Sequence, residues 1–554
     1  MNALLRKQQS GKVLLSIAPA LLLGALLLLL ARMEASTFTG IASAAPAAGV
    51  ESPFAMTTVV TVADGDVAGL ITAINAANQS STPADPSTVN LAVHGHYTLT
   101  AEENMTNGAN GLPVITGNLI INGNGATIAR RSAEGTAAFR ILHVTGTLRL
   151  DSVTLRNGSI TGEDYRSGSG GAILNSGILT LTNSTIVGNR ADSDGGGIAN
   201  VAFDQNAYLE IHSSRVLSNT AGRNGGGGSS HANDQQTAIL LVRHSEIAGN
   251  QTQSESLVLF GGFGGGIYSG DVDDEFGAGG MGATGFVTVT HSSVHHNQAT
   301  DGGGGLANAM DGASRIEMAV MNSAIYSNSA RADGNNVGNG GGLFNVDAAL
   351  MLQNSTVSGN KAAGFGIVGS GYGGGVYNAS KFRNATVTSL NTTIAYNEAT
   401  TEGGGVAYAD SDEPATATVS LQNSIVSNNI ESLISVVNCA SADSVPEENR
   451  IVSQGNNLED KDSCGFNQAG DLSNTDPMLG PLALNTAPGE NAAVNDWTHA
   501  LQADSPAIDA GNNANCPATD QRGVARPQGP TCDIGAYELV GDAQFYLFLP
   551  VTQK

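Results

Sequence analysis

Chemistry needs titratable or metal-binding side chains brought together, and three stretches of this sequence concentrate them. His244, His291, His295 and His296 form the one histidine-rich region of the chain. Imidazoles so grouped could ligate zinc or move protons near neutral pH; they could equally be substituted turn residues. Asp271, Asp273, Asp274 and Glu275 set four acids in five residues between glycines, a composition able to bind calcium. Their spacing fits no EF-hand and no glycine-rich calcium repeat, so a solvated insertion loop is the simpler reading. Asp509, Asp520, Arg522, Arg526, Asp533 and Glu538 mix carboxylates with guanidinium groups, either as an acid–base site or as pairs that lock a terminal domain. GxSxG, HExxH and P-loop patterns are absent from the sequence. No residue is therefore assigned as catalytic, cofactor-binding or metal-binding, and calcium at Asp271, Asp273, Asp274 and Glu275 is the nearest to a cofactor site.

The elements that must position these groups recur. A seven-residue phrase ending in asparagine appears nine times: DSVTLRN (Asp151–Asn157), NSTIVGN (Asn183–Asn189), SSRVLSN (Ser213–Asn219), HSEIAGN (His244–Asn250), HSSVHHN (His291–Asn297), NSAIYSN (Asn322–Asn328), NSTVSGN (Asn354–Asn360), NTTIAYN (Asn391–Asn397) and NSIVSNN (Asn423–Asn429). A period near 30 residues is a repeat architecture. Glycine runs closed by a small or aliphatic residue introduce each phrase, as at Gly195–Ile198 and Gly373–Val376. Between the two signals the apolar residues alternate with the strand period of two, as in Ile178–Thr182. Strands without helices to cover them bury themselves by winding into a solenoid, each coil about 4.8 Å from the next. The expected fold is all-β: a right-handed single-stranded parallel β-helix with the closing asparagines stacked at one corner. Residues at equal phase can then be compared directly. Arg215 and Glu246 become a surface ion pair, and His244 stacks on His291.

Charged residues make up only 13% of the 554, and the formal net charge is −25, with no basic patch. Nucleic acid is thereby disfavoured as a partner, while an acidic surface suits a protein soluble outside the cell. Arg6, Lys7 and Lys12 precede an uncharged run, Val13–Ala31, and Ala42-Ser43-Ala44 follows. Residues 1–44 read as a secretory signal peptide or, uncleaved, as a membrane anchor through residues 13–31. Either way the remainder is extracellular or at the cell surface.

Residues 51–150 read as an N-terminal cap and first coils. A strand lies at Thr57–Val62, then a helix capped by Asp66 with Leu70, Ile71, Ile74 and Ala77 on one face. The stretch Val62-Ala63-Asp64-Gly65-Asp66, with Leu70–Asn78 and Leu112–Gly117, resembles the start of bacterial surface β-helix proteins of the CSLREA type. The glycine runs and asparagine phrases of 151–430 resemble the GGAI and FxxN repeats of polymorphic outer-membrane proteins, with Ile or Val where that family has Phe. No long C-terminal autotransporter barrel accompanies them, so self-translocation does not carry over. Asp476–Leu482, Ser505–Gly511, Asp520–Gly523 and Cys532–Glu538, within 431–540, resemble the choice-of-anchor Q domain, which in that family ends surface β-helices. Residues 541–554 form a tail; its Leu549–Gln553 lacks the glycine and apolar span of a sortase signal.

Cys439, Cys464, Cys516 and Cys532, behind an export signal, read as two disulfides. Sequence proximity favours Cys439–Cys464 and Cys516–Cys532 among the three connectivities. The expected function is structural or adhesive: a rigid surface display that binds polysaccharide or other cell-envelope components. The alternative is a carbohydrate-active enzyme, a polysaccharide lyase or hydrolase of the pectin-lyase fold, whose acids and a base would converge in a groove across several coils.

Overall fold

The computed structural model describes residues 59–540, apart from 83, 163, 234, 254–260, 272–281, 310–314, 333–336, 365–369, 411–414, 432–434 and 443–449. Residues 1–58, with the expected export segment, the tail 541–554 and the acids Asp273, Asp274 and Glu275 lie outside the described residues.

Strand Val59–Val62 pairs in parallel with Ser87–Leu91 and opens the first coil. Helix α1 (Val67–Ser80) begins where Asp66 Oδ1 accepts the Gly69 amide at 2.8 Å, and it buries Leu70, Ala73, Ile74 and Ala77. That face covers the end of the solenoid, where strand edges would otherwise be bare. Beyond it the described strands form a bent 23-stranded sheet and two ten-stranded sheets, in which strands pair one coil with the next. The chain is a parallel β-helix. One coil shows how the alternation works. Leu179, Leu181, Ile186 and Ile198 point inward with no exposure, and Leu209, Ile211 and Val216 stack on the first three from the following coil. Each such side chain contributes roughly 1.5–3 kcal/mol of burial.

The closing asparagines form an unbroken ladder. From Asn189 to Asn438 each Nδ2 donates to the Oδ1 of the next rung at 2.9–3.0 Å. The last rung donates to Asp460 Oδ1 at 2.8 Å. Interior rungs are fully used. Asn360 Nδ2 also donates to Ile325 O at 2.9 Å, and its Oδ1 accepts both the amide and the side chain of Asn328 at 3.0 Å. A buried primary amide needs that complete set of partners.

The first phrase is out of step with the other eight. Leu155 pairs with Ile186 and Arg156 with Val187, which sets Asn157 beside Gly188 and Gly158 beside Asn189. Asn157 therefore takes the left-handed turn position (φ 61°), as Gly188 does (φ 63°). Gly158 holds the rung and donates its amide to Asn189 Oδ1 at 2.8 Å. A Cβ at Gly158 would run into the carbonyl oxygen of Gly171, so an asparagine does not fit there. A second amide ladder lies two residues beyond the glycine runs. Asn175 donates to Asn200 at 2.7 Å, and Asn308, Asn345 and Asn378 link at 2.8 Å. In the glycine runs themselves, the coils approach so closely that a Cβ on Gly196 would meet the backbone of Gly226 and Thr220.

The C-terminal end has two parts. Cys439, Cys464 and Phe466 belong to the same apolar core as the coils and close the last one. From Leu479 the chain leaves the solenoid, forms the antiparallel hairpin Leu479–Leu484/Trp497–Leu501, and folds back along the outside of earlier coils. Asn354 Nδ2 donates to Thr519 O at 2.6 Å and Thr356 Oγ1 to Gln521 Oε1 at 2.7 Å. The disulfides are Cys439–Cys464 and Cys516–Cys532. Each fastens one part, contributing on the order of 3 kcal/mol.

Candidate functional site

Each asparagine phrase after the first contains a three-residue strand whose middle side chain points inward, as Ile186, Val216, Ile247 and Val294 do. Period-two alternation must turn the two flanking side chains outward. Stacking of the coils lines these up in two rows. Thr185, Arg215, Glu246 and Ser293 are in register in the first, and Val187, Leu217, Ala248, His295 and Tyr326 in the second. Turns in the left-handed region border the rows on both sides.

On this face polar groups link into one chain. Arg215 Nε donates to Glu246 Oε2 at 2.7 Å, and Glu246 Oε1 lies 3.1 Å from His295 Nε2. His295 Nδ1 lies 2.8 Å from Nδ1 of His296. Burial lowers the His295 pKa and outweighs the opposing pull of Glu246, so the ring is neutral. Its proton then belongs on Nε2, donated to Glu246, and His295 Nδ1 accepts from His296 Nδ1. The outer nitrogen of His296, an exposed residue, is left toward solvent. Rings continue the strip. His295 stacks on Tyr326 at 4.7 Å, and Tyr326 meets Trp497 of the C-terminal hairpin at 5.1 Å. Burial first, then Glu246, pushes the Tyr326 phenol far above its ordinary pKa, so it stays protonated. Three coils from His296, at the same turn position, Tyr396 is 42% exposed with φ 58° and lies 5.0 Å from the His499 ring. A bulky residue in the left-handed region is uncommon.

No protein-family model matches the chain, and no curated protein does. Among solved structures it is similar to the A-module of mannuronan C-5 epimerase AlgE6 from Azotobacter vinelandii. The two are 14% identical over 70% of this chain and 97% of that module, with a TM-score of 0.38. It is also similar to the periplasmic alginate epimerase AlgG, 9% identical over 69% of this chain and 80% of that one, with a TM-score of 0.26.

The groups singled out in the sequence separate into three sets. Arg215 and Glu246 pair as their equal phase requires, and His244 stacks on His291 at 4.9 Å. Both of these histidines occupy left-handed turn positions (φ 48° and 47°) otherwise held by Asn or Ser, and histidine, like asparagine, is among the residues enriched in that region. Among the described residues no group of three or more His, Cys, Asp or Glu is placed to hold a metal. Asp271 ends the strand Ile267–Asp271 and is buried. The C-terminal carboxylates and arginines lock the fold. Arg522 Nη2 bonds Asp520 Oδ2 at 2.6 Å and stacks on Tyr537, while Arg526 Nη1 bonds Glu538 Oε2 at 3.1 Å with both side chains fully buried. Asp533 accepts the amides of Asp509 and Leu539. Sequence reasoning missed Tyr326, Tyr396, Trp497 and His499. The first two stand inside counted phrases, and their aromatic character at outward or turn positions was a usable signal.

Proposed function

We propose that this chain is an exported, surface-displayed β-helix with an adhesive role that binds glycan along the outward face of its short strands. The observation that carries this is the strip in which Arg215, Glu246 and His295 run directly into the rings of Tyr326 and Trp497. Sugars offer hydroxyls to charged or imidazole groups and apolar C–H faces to rings, and sites of this mixed kind serve such ligands. The resemblance of the C-terminal segment to choice-of-anchor Q domains supports placement at the cell surface, as do the two disulfides. The test is a screen of the full exported chain against neutral and acidic polysaccharides with calcium present. Binding, unsaturated products and reducing ends are recorded together. Retention of a polysaccharide by the chain, weakened about tenfold in Arg215→Ala and in Trp497→Ala of intact fold, is the expected result. No retention across the panel would sink the reading.

A second reading, a carbohydrate-active enzyme, is favoured by the relay Glu246–His295–His296. A carboxylate orients one neutral imidazole, which in turn orients an exposed one whose outer nitrogen can take a proton. Product release abolished by His296→Gln and unaffected in His244→Gln would establish it.

A further inference from the structure

We infer that the strip is closed at one end and therefore takes the terminus of a neutral glycan chain rather than its middle; this rests on the glycan reading above. The side-chain exposures fall steadily along it. Arg215 is 57% exposed, Glu246 22% and His295 15%. Tyr326, one coil further, is buried beneath Trp497. On the next coil the outward positions are occupied altogether. Thr356 Oγ1 donates to Gln521 Oε1 at 2.7 Å, and Ser358 Oγ lies 2.9 Å from His499 Nε2. His499 Nδ1 donates to Gly480 O at 2.8 Å, so its Nε2 is the acceptor and the serine contact is committed. The C-terminal hairpin thus stands across the two rows as a wall. In the other direction the rows run on through Leu217, Val187 and the exposed Arg156. From the strand of Arg156 to that of Tyr326 there are five strand spacings of about 4.8 Å, or roughly 24 Å of face with one open end.

A chain lying in this strip has to stop at Trp497. Its last sugar meets the Trp497 ring and the Glu246–His295 pair, and earlier sugars extend toward Arg156. Arg215 and Glu246 neutralise each other, so nothing at the closed end selects a charged sugar. An interior segment of a polymer cannot reach the wall without one half of the chain passing through the C-terminal hairpin.

The chain's single tryptophan is Trp497, so its fluorescence reports on the closed end directly. The experiment titrates the full exported protein with linear neutral glucan, galactan and mannan, with their short oligosaccharides, and with a cyclic glucan that has no ends. End binding predicts that oligosaccharides match the parent polymer at equal concentrations of chain ends. It also predicts that the cyclic glucan neither changes the fluorescence nor competes. By calorimetry, Trp497→Ala should weaken oligosaccharide binding about tenfold, with Trp497→Phe restoring most of it. Binding that follows total sugar mass, or binding of the cyclic glucan, would overturn the inference while leaving the glycan reading in place. Silence from every linear neutral glycan would overturn the inference, and silence from the acidic polysaccharides of the screen above as well would remove the glycan reading itself.

Discussion

The outward face of the short strands is one surface with two fates. Over the coils from Arg156 to His295 it stays open, and its outward residues include Arg215, Glu246 and His295. Over the coils from Thr356 to Ile425 it is covered, and the same positions hold Thr356, Ser358, Thr393, Ala395 and Ile425. Those small or aliphatic side chains let the C-terminal segment approach. Ala395, Ile425, Leu479, Leu501 and Ile534 share one apolar cluster, and Ala536 N donates to Thr393 Oγ1 at 3.1 Å. The turn row differs in the same way. Asn354 and Asn391 spend side-chain N–H groups on Thr519 O and Asp533 O, whereas His244 and His291 stack on each other. The backbone is the same in both halves, so side-chain size and polarity alone decide whether the solenoid offers a docking face or an accessible one.

The largest expected effect breaks the covered half alone. Arg526→Met leaves Glu538 charged and buried without its partner, a loss of about 3–5 kcal/mol. Trp497 fluorescence should then melt well before the far-ultraviolet circular dichroism of the coils, and the open half should keep its strand signal. Coincident melting of both probes would mean that the halves are not separable. Next comes what both halves share. Asn360→Ala removes two donors and two acceptor contacts from the ladder and should cost about 2–4 kcal/mol, moving both probes together in denaturant unfolding.

These contrasts also mark how far the sequence was readable. Period-two alternation and the glycine–asparagine spacing are local consequences of winding, so the solenoid, the Arg215–Glu246 pair and the His244–His291 stack were all legible. The slip at Asn157 was not, because DSVTLRN ends in asparagine like its fellows and only strand pairing shows that Gly158 holds the rung. The second ladder had a visible signal in Ile198-Ala199-Asn200 and Leu343-Phe344-Asn345, two residues past each glycine run. Docking of the C-terminal segment left none. Thr356 and Gln521 are 165 residues apart, and nothing local to either announces the other. The proposed closed end depends on that one non-local fact.

A pH titration probes buried carboxyls on both sides of the comparison. Burial raises Asp301 and Glu459 in the coils to about 7 and Asp533 in the docked segment to about 6. The folded state holds these protons more tightly than the unfolded one does. The stability they contribute is complete below the ordinary carboxylate range and is lost as pH rises through 6 to 7. Histidines held neutral by burial, His295 and His499 among them, act in the opposite sense below their ordinary range, so the fall in melting temperature, of a few degrees, should show between about pH 6.5 and pH 8. Asp301→Asn should flatten the slope seen by circular dichroism and leave the slope of Trp497 fluorescence unchanged. A melting temperature that rises over this range would contradict it.

The smallest effect isolates docking at a single amide. Asn322 and Asn354 are neighbours in the turn row, with φ 47° and 45°, so alanine imposes the same left-handed penalty at each. They differ in what covers them. Asn354 Nδ2 reaches Thr519 O at 2.6 Å, while Asn322 Nδ2 faces His291 Nε2 at 3.3 Å on the open side. Asn354→Ala should thus destabilise by about 1 kcal/mol more than Asn322→Ala, and the excess should appear in Trp497 fluorescence. Equal losses would place the boundary between the halves elsewhere. An excess confined to the fluorescence transition would fix it at the coil where Tyr326 passes under Trp497, which is the coil at which the strip is proposed to end.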